Sequence, residues 1–403
     1  MDFAAFAAFA SSSFYENPYR VYDQIRSRGP VVKVGHRLWA TCRYDVANSL
    51  LCDRRIGRNY MSSIVARYGE EKAKAPIFQT LSRIMLLMNP PTHTRLRALS
   101  MKVFTAAQVA QTAEFAQASA NRLIAAMQQK RSAEIMSEFA IPLPAMVICT
   151  LLGVPLEHVD LFTQAVADAA VSVETALLND EQIATASKAI GFMQDYFSDL
   201  MAERRRNLGT DLVSLLLKAE EGDDRLSEEE VLANVILLFM AGHETTTNMI
   251  GNSLIGLHRH PAQLDKLLTD PSLMPKAVAE CLRYDTSAQV TSRATMEDME
   301  IEGVAVPKDN TIFIFLGGAN RDPAKFEDAD RLIIGRPDQG SRMISFGGGI
   351  HYCLGARLAA VELEVALTAL FKQMPAFRIS NLDAIEYHPR NALRGPKAVH
   401  IAW

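Results

Sequence analysis

The feature that most restricts this chain is a glycine-rich stretch with one cysteine that runs directly into a helix-forming sequence. It reads Phe-Gly-Gly-Gly-Ile-His-Tyr-Cys-Leu-Gly over residues 346–355. Glycines adopt positive φ angles without steric cost and let a backbone approach a flat ligand closely. The sequence that follows places Leu358, Val361 and Val365 on one helical face. This spacing predicts an amphipathic helix.

Cys353 is therefore predicted to lie just before a helix N-terminus. Unsatisfied N–H groups and the helix dipole favour negative charge there. The thiol is thus expected to be held as a thiolate, which is one of the few axial ligands of haem iron. Two other interpretations are open. A free cysteine is often a buried structural residue, and a catalytic nucleophile would need a paired base.

The same stretch resembles the haem-binding signature of the cytochrome P450 superfamily, F-G-x-G-x-H-x-C-x-G. The fixed positions are matched by Phe346, Gly347, Gly349, His351, Cys353 and Gly355. The resemblance implies that haem b (iron protoporphyrin IX) is the cofactor and that Cys353 is the ligand of its iron. It also implies a mainly α fold with a small β region, folded as a single triangular catalytic domain over residues 1–403.

Composition limits the remaining classes of function. The chain has 403 residues, of which 49% are hydrophobic, enough for a large core. A net charge of -4 argues against nucleic-acid binding. The five cysteines show no CxxC spacing, so neither a disulfide framework nor a zinc site is predicted. Without a secretory signal or a long apolar run, we expect a soluble cytoplasmic protein with no membrane partner.

A second motif follows the two prolines of Asn89-Pro90-Pro91, which predict a helix start. His93 and Arg97 are four residues apart and share one helix face. Such a pair suits two carboxylates, although it is also common on a solvated face. The family pattern D-P-P-x-H-x-x-x-R matches except at Asn89, and it implies that His93 and Arg97 bind the haem propionates. Arg293 matches a further propionate-binding arginine of the family.

A capping-box sequence over residues 227–230 predicts the start of a long buried helix that continues to Asn248. Gly242 lies in mid-helix, where glycine costs about 1 kcal/mol. Glu244 stands beside it at the end of an apolar run. We infer that something other than helix stability selects this cluster.

The cluster Ala241, Gly242, Glu244 and Thr245 resembles the A-G-x-[DE]-T motif of the family, where the central helix crosses the distal face of haem. Activation of O₂ needs two protons delivered in a dry site. Thr245 is expected to hold a hydroxyl group and a water near the oxygen, and Glu244 to relay protons. A surface salt bridge is the alternative for Glu244.

Residues 274–284 are predicted to be a helix on which Glu280 and Arg283 can pair. That spacing alone is frequent on surface helices. The surrounding A-x-x-E-x-L-R-Y resembles the buried ion-pair network that braces the haem pocket in the family. Ser287 stands where the family usually has proline, which leaves the conformation of residues 285–292 open.

The substrate pocket is the least specified part of the sequence. Residues 56–91 are predicted to be a long irregular connection, which by resemblance caps the pocket. Met85 and Leu87 in it are candidate pocket residues, although ordinary core packing explains them equally well.

Strand-like segments close the chain. They include residues 301–307 and 311–315, on either side of a predicted turn, and a predicted final hairpin over 391–403. Leu393 near the tip of this hairpin and Val290 are further candidate pocket residues.

The resemblance implies a haem-thiolate monooxygenase that inserts one oxygen atom from O₂ into an apolar or amphipathic small molecule, with secondary metabolism as the expected setting. No flavin or NAD fingerprint is evident, so a separate ferredoxin and its reductase are expected to supply electrons, docking near Arg342 and Arg357. A monomer is expected. The alternatives are a peroxide-using haem enzyme, against which Glu244 and Thr245 argue, and a non-catalytic haem-binding sensor or carrier.

Overall fold

The computed structural model describes residues 11–174, 177–221, 224–337 and 343–403. Helices predominate in these ranges, and the strands form four small sheets there. The predicted mainly α class with a small β region is therefore confirmed. Within the same ranges, no helix is both long enough and apolar enough to cross a membrane.

Helices account for most of the described chain. In order they are α1 (Ser12–Glu16), α2 (Tyr19–Arg28), α3 (Tyr44–Cys52), α4 (Tyr60–Ala73), α5 (Pro76–Ser82), α6 (Thr92–Met101), α7 (Ala106–Met127), α8 (Pro142–Leu152), α9 (Val159–Ala170), α10 (Asp180–Arg206), α11 (Leu212–Lys218), α12 (Glu228–His258), α13 (Pro261–Thr269), α14 (Met274–Tyr284), α15 (Leu316–Ala319) and α16 (Ala356–Gln373). The predicted capping box opens α12, because Glu230 N–H donates to Ser227 Oγ at 3.2 Å and Ser227 N–H donates to Glu230 Oε2 at 2.9 Å. The helix runs past the predicted end at Asn248.

The strands are short. In order they are β1 (Val32–Gly35), β2 (Leu38–Thr41), β3 (Ile56–Gly57), β4 (Ser132–Glu134), β5 (Glu220–Glu221), β6 (Asp224–Arg225), β7 (Val290–Thr295), β8 (Met299–Ile301), β9 (Val304–Val306), β10 (Thr311–Phe315), β11 (Arg378–Ile379) and β12 (His400–Ala402). The largest sheet has the order β1-β2-β10-β7-β3, and a second sheet has the order β11-β12-β4. The pairs β5-β6 and β8-β9 complete the set.

The chain divides into two compact units. The first contains the described residues up to Gly57, then Gln117–Ala140, and all described residues from Thr245 onward. The second contains Arg58–Ala116 and Ile141–Glu244. One catalytic domain over the whole chain stays a prediction.

The core of the first unit is organised by β10, whose side chains alternate between two faces. Ile312 and Ile314 are fully buried in a cluster with Leu50 of α3. Phe313 and Phe315 face a different cluster, around Tyr22 of α2. Because successive side chains of a strand point to opposite faces, this five-residue strand joins the two clusters.

The core of the second unit contains an aromatic group centred on Phe162 of α9. Its ring centroid lies 4.5 Å from that of Phe239 on α12 and 5.4 Å from that of Phe197 on α10. Tyr196 of α10 meets the same ring edge-on at 4.8 Å. These separations are in the favoured range for aromatic pairs, so Phe162 ties three helices of the unit together.

The predicted irregular connection over residues 56–91 is wrong, because most of that range is helical. It contains α4, α5 and a 3-10 turn over Met85–Leu87. Gly69 interrupts α4 with φ +78°, and Pro76 starts α5 as its first residue. The two parts of α4 and the helix α5 are therefore too short to show a clear helical period in the sequence.

Two strand predictions also need correction. Residues 301–307 are not one strand, because Glu302 and Gly303 both have positive φ and turn the chain between β8 and β9. The final hairpin is displaced. Its arms are residues 386–388 and 395–397, linked by His388 N–H to Gly395 O at 3.0 Å. Leu393 lies in the loop of this hairpin, whereas β12 pairs with β11 and β4.

Candidate functional site

The glycine-rich stretch forms a tight loop against the C-terminal end of α3. Gly347 and Gly349 have φ of +71° and +63°, as the sequence led us to expect for glycines at such positions. A Cβ atom on Gly349 would lie 2.1 Å from the carbonyl oxygen of Leu51. No side chain tolerates that separation, so this glycine is required for the loop to pack where it does.

Cys353 is presented at the end of this loop. Its N–H donates to the carbonyl oxygen of Phe346 at 3.0 Å, which closes the loop. Helix α16 then begins at Ala356, with Gly355 as its N-cap. The predicted position before a helix N-terminus is confirmed. Cys353 is exposed, which contradicts the interpretation as a buried structural cysteine.

His351 ends a 3-10 turn over Gly349–His351 within the loop and is half-buried. The ring of Phe346 lies 6.3 Å from that of Tyr352, edge to face. The loop is therefore held by backbone hydrogen bonds and an aromatic contact, and these leave the cysteine on its surface.

Arg293 on β7 is a buried cation. It is only 5% exposed, and its Nη1 donates to Thr291 Oγ1 at 2.8 Å and to the Ser292 carbonyl oxygen at 2.9 Å. Burial lowers the pKa of Arg293 to about 10. No carboxylate of the described residues forms an ion pair with it. A buried guanidinium in this condition is suited to an anionic ligand.

In the second unit, α6 carries His93 and Arg97 on one face, as predicted. His93 is buried and Arg97 half-buried. Just before this helix, Asn89 Oδ1 accepts the N–H of Arg58 at 2.8 Å, and its Nδ2 donates to the Arg58 carbonyl oxygen at 2.7 Å. A carboxylate could accept the first bond but could not donate the second. This explains the departure from the family pattern at residue 89.

The A-G-x-[DE]-T motif lies on α12. Gly242 faces α8 within the second unit, where a Cβ atom would lie 3.1 Å from Ile148 Cδ1. Close helix approach is therefore one reason for a glycine here. Ala241 is exposed, while Glu244 and Thr245 are half-buried.

His243 occupies the variable position of the same motif, for which the sequence predicts no role. It is buried, and its Nε2 lies 3.3 Å from the Ile141 carbonyl oxygen. Burial lowers the pKa of His243 to about 4. The imidazole is therefore neutral at neutral pH and does not act as an acid there.

Glu280 and Arg283 form a fully buried pair on α14. Two parallel bonds of 2.8 Å join them, Nε to Oε2 and Nη2 to Oε1, and both side chains have an exposed fraction of 0%. Arg336 Nε adds a third bond to Oε1 at 2.9 Å, and the N–H of Ile333 a fourth at 2.7 Å. Burial alone would raise the pKa of Glu280, but these donors outweigh it and hold the pKa below its usual range.

The sequence did not reveal Arg336 as a member of this network. No local spacing links residues 280 and 336, so the contact follows only from the fold. Arg283 Nη1 also donates to the carbonyl oxygens of Asn320 and Ala329, at 2.9 and 2.8 Å. The pair thus fixes the turn at Asn320 and the loop over residues 329–336, as well as its own helix.

The candidate pocket residues fall into two groups. In the second unit, Met85 is buried in its 3-10 turn, and its N–H donates to Asn234 Oδ1 of α12 at 3.4 Å. Leu87 at the end of that turn is half-buried. Asn234 lies two helical turns before Ala241 on the same face of α12.

In the first unit, Val290 and Leu393 are both half-buried. Leu393 forms an antiparallel bridge with Ala288. Ser287, which precedes Ala288, donates its N–H to Met249 Sδ at 3.1 Å. The proline that is usual at this position in the family could not make this bond, because it has no N–H. This contact accounts for the departure at residue 287.

Comparison with known proteins places the chain in a family. The family model described as Cytochrome P450 matches residues 54–380. Cytochrome P450 133B2 of Xylella fastidiosa (strain Temecula1) is 46% identical over 98% of both chains. Vitamin D(3) 25-hydroxylase of Pseudonocardia autotrophica is 36% identical over 96% of this chain and 93% of its own. The crystal structure of P450BioI with a hexadec-9Z-enoic acid ligated acyl carrier protein has a TM-score of 0.91 at 32% identity, over 98% of this chain and 100% of its own.

The fold and the matching family model define a haem-dependent oxidoreductase. The chain belongs to the cytochrome P450 family. It has the fold of that family, its cofactor is haem, and it is a monooxygenase acting on small molecules.

The first prediction concerns the buried carboxylate. Glu280→Gln removes the charge but keeps the shape, leaving the Arg283 and Arg336 guanidiniums buried without an anion. We expect a loss of about 3–5 kcal/mol in the free energy of unfolding, measured by urea titration. Because the folded pKa of Glu280 is lowered, wild-type stability should fall as the pH drops through that pKa, and the variant should lack this contribution.

The matched control is Glu386→Gln, which breaks an exposed pair with Lys397. It should leave the unfolding midpoint unchanged. Equal midpoints for Glu280→Gln and the wild type would contradict the bracing role of the network.

The second prediction concerns the loop. Gly349→Ala forces a Cβ atom against the Leu51 backbone, so we expect lower haem content after purification, measured by the pyridine haemochrome assay. Gly303→Ala is the control, because Gly303 also has positive φ (+82°) but open space around the added Cβ. Equal haem content in the two variants would mean that the contact with Leu51 does not position the loop.

Proposed function

We propose that this chain is a haem-thiolate monooxygenase that inserts one oxygen atom from O₂ into an apolar or amphipathic small molecule by hydroxylation or epoxidation. The observation that carries the proposal is the exposed Cys353, at the end of a glycine loop and before the N-terminus of α16. The family's function and the intact Glu244-Thr245 sequence support it.

The residues present fit the cofactor. Cys353 is proposed as the iron ligand, because the positive end of a helix favours its thiolate form. Arg293 is proposed to bind a propionate, which would give its buried guanidinium an anionic partner. His93 and Arg97 are proposed to bind propionates from one face of α6. When bound, a thiolate-ligated haem supplies the electron density that favours O–O cleavage.

Glu244 and Thr245 are proposed to deliver protons. Thr245 would hold an ordered water through its hydroxyl group, and Glu244 would exchange protons with solvent, since both are half-buried. His243 between the glycine and the acid does not serve this role, because burial lowers its pKa to about 4. Glu244 is therefore the proposed proton carrier of the motif.

The substrate is proposed to be an extended apolar or amphipathic compound. The candidate pocket residues Met85, Leu87, Val290 and Leu393 are all aliphatic or thioether side chains that are buried or half-buried. Among the similar proteins, one is a vitamin D(3) hydroxylase and one binds a fatty acyl chain on a carrier protein. We further propose that the reaction belongs to secondary metabolism.

A separate ferredoxin is proposed as the electron donor. Arg357 is exposed near the start of α16, a short distance along the chain from Cys353, and offers a charge to an acidic partner. Arg342, the other residue predicted at this surface, lies outside the described residues. We further propose that the protein acts as a cytoplasmic monomer, since its odd number of cysteines fits a reducing compartment.

Two other functions remain to be separated from this one. A peroxide-using haem enzyme would form product from added peroxide without NADPH. A haem-binding sensor or carrier would consume neither peroxide nor NADPH and would form no product. Both measurements use the same purified holoenzyme with a surrogate ferredoxin and reductase.

The third prediction tests the proton-delivery role. Thr245→Ala should leave substrate binding and NADPH consumption near normal while peroxide rises and product falls, because the hydroxyl group proposed to hold the proton-donating water is lost. Glu244→Gln should instead slow turnover as a whole, because proton supply becomes limiting. The substrate for these assays is chosen by titrating the wild type with a library of apolar and amphipathic compounds. The compound that gives the largest shift of the Soret band is used.

Thr247→Ala is the matched control, since it removes the same hydroxyl group from a buried position two residues along α12. Its coupling should equal that of the wild type. Unchanged coupling in Thr245→Ala would reject the assignment and favour protonation by a hydroxyl group of the substrate.

A further inference from the structure

Two segments that carry candidate pocket residues are joined directly in the first unit. Ala288 and Leu393 form an antiparallel bridge, and Arg394 N–H donates to the Ser287 carbonyl oxygen at 2.7 Å. Val290 begins β7 two residues after Ala288. The position of Leu393 relative to Val290 is therefore set by this short pairing.

The Arg394 side chain stabilises this pairing between residues 287–288 and 393–394. It is buried, with 6% exposure, and its Nε donates to Asp285 Oδ1 at 2.9 Å. The two Nη atoms donate to the carbonyl oxygens of Tyr15 and Glu16. The guanidinium also lies 3.5 Å from the ring centroid of Tyr387. Its planar fork thus spans three separate parts of the chain.

Asp285 is held independently of Arg394. Tyr19 of α2 donates its hydroxyl to Asp285 Oδ1 at 2.7 Å. Arg321 stacks between the rings of Tyr19 and Tyr284, at 3.5 and 3.8 Å from their centroids. The carboxylate is therefore a fixed anchor, and Arg394 is the residue that connects the hairpin loop to it.

The junction is also tied to α12. Asn252 Nδ2 donates to the carbonyl oxygens of Asp285 and Arg394, at 3.1 and 3.0 Å. Asn252 lies two helical turns after Thr245, so the two side chains share a face of the helix. One amide thus fixes both segments relative to the helix that carries the proposed proton-delivery residue.

We propose that Arg394, acting through Asp285, is a positioning residue that sets where Leu393 and Val290 lie relative to Thr245, and so determines which substrates fit. The inference rests on the proposed function, because it takes Val290 and Leu393 as pocket residues. The Arg394 side chain is buried on Asp285 and on the carbonyl oxygens of Tyr15 and Glu16, so we propose that it acts on ligands indirectly. Its effect passes through the adjacent Leu393 and through the bridge to Ala288.

A merely structural role makes a different prediction. Loss of a buried ion pair would lower stability and haem retention but would affect all ligands alike. A positioning role changes the affinity for large ligands relative to small ones. Two azoles that bind haem iron provide this comparison, because imidazole reports on the iron site and 4-phenylimidazole adds a ring that meets the pocket wall.

The experiment titrates holoenzymes with imidazole and with 4-phenylimidazole and follows the Soret band. We expect Arg394→Met to change the ratio of the two dissociation constants by about fourfold, the effect of one buried methylene group. Arg394→Lys, which keeps the charge but loses the fork, should show a smaller change. Lys397→Met removes an exposed cation from the same hairpin and should leave the ratio unchanged.

An unchanged ratio in Arg394→Met with normal haem content would overturn the inference. If that variant retains no haem, the decision passes to Arg394→Lys and Asp285→Asn, for which an unchanged ratio is equally decisive. Absence of any azole-induced shift in the wild type would reject the proposed function and this inference with it. An imidazole shift with an unchanged ratio rejects the inference alone.

Discussion

The loop that presents Cys353 depends on a buried ion pair that lies far from it in sequence. Arg283, neutralised by Glu280, donates to the carbonyl oxygen of Asn320. The Asn320 side chain in turn accepts the N–H of Ile344 and donates to Ser345 Oγ, both at 2.8 Å. The next residue begins the glycine loop. Since an uncompensated charge inside a protein costs several kcal/mol, the pair holds this chain of contacts in one arrangement.

The two departures from the family pattern have a common physical explanation. Asn89 and Ser287 each make a hydrogen bond that the usual residue could not make, since an aspartate cannot donate to the Arg58 carbonyl oxygen and a proline has no N–H for Met249 Sδ. Both substitutions keep the backbone tied to a neighbour by a different bond. They therefore change how the site is held without removing its proposed ligands.

Local signals in the sequence were sufficient for elements whose partners are close along the chain. The capping box at Ser227 and the helix after Gly355 both form as predicted, because hydrogen bonds and periodicity within a few residues determine them. Contacts between distant segments were not predictable. No spacing in the sequence indicates that Arg336 pairs with Glu280 or that Arg394 pairs with Asp285. Residues 56–91 show no clear helical period in the sequence, because Gly69 and Pro76 divide their helices into short pieces.

The central claim is that Cys353 supplies a thiolate to haem iron, and iron K-edge X-ray absorption of the purified holoenzyme tests it most directly. The fine structure reports which elements surround the iron without requiring a substrate or a redox partner. We predict one sulfur scatterer beside the porphyrin nitrogens in the wild type, absent in Cys353→Ser. A coordination shell of nitrogen and oxygen alone in the wild type, or a sulfur that persists in the variant, would contradict the account.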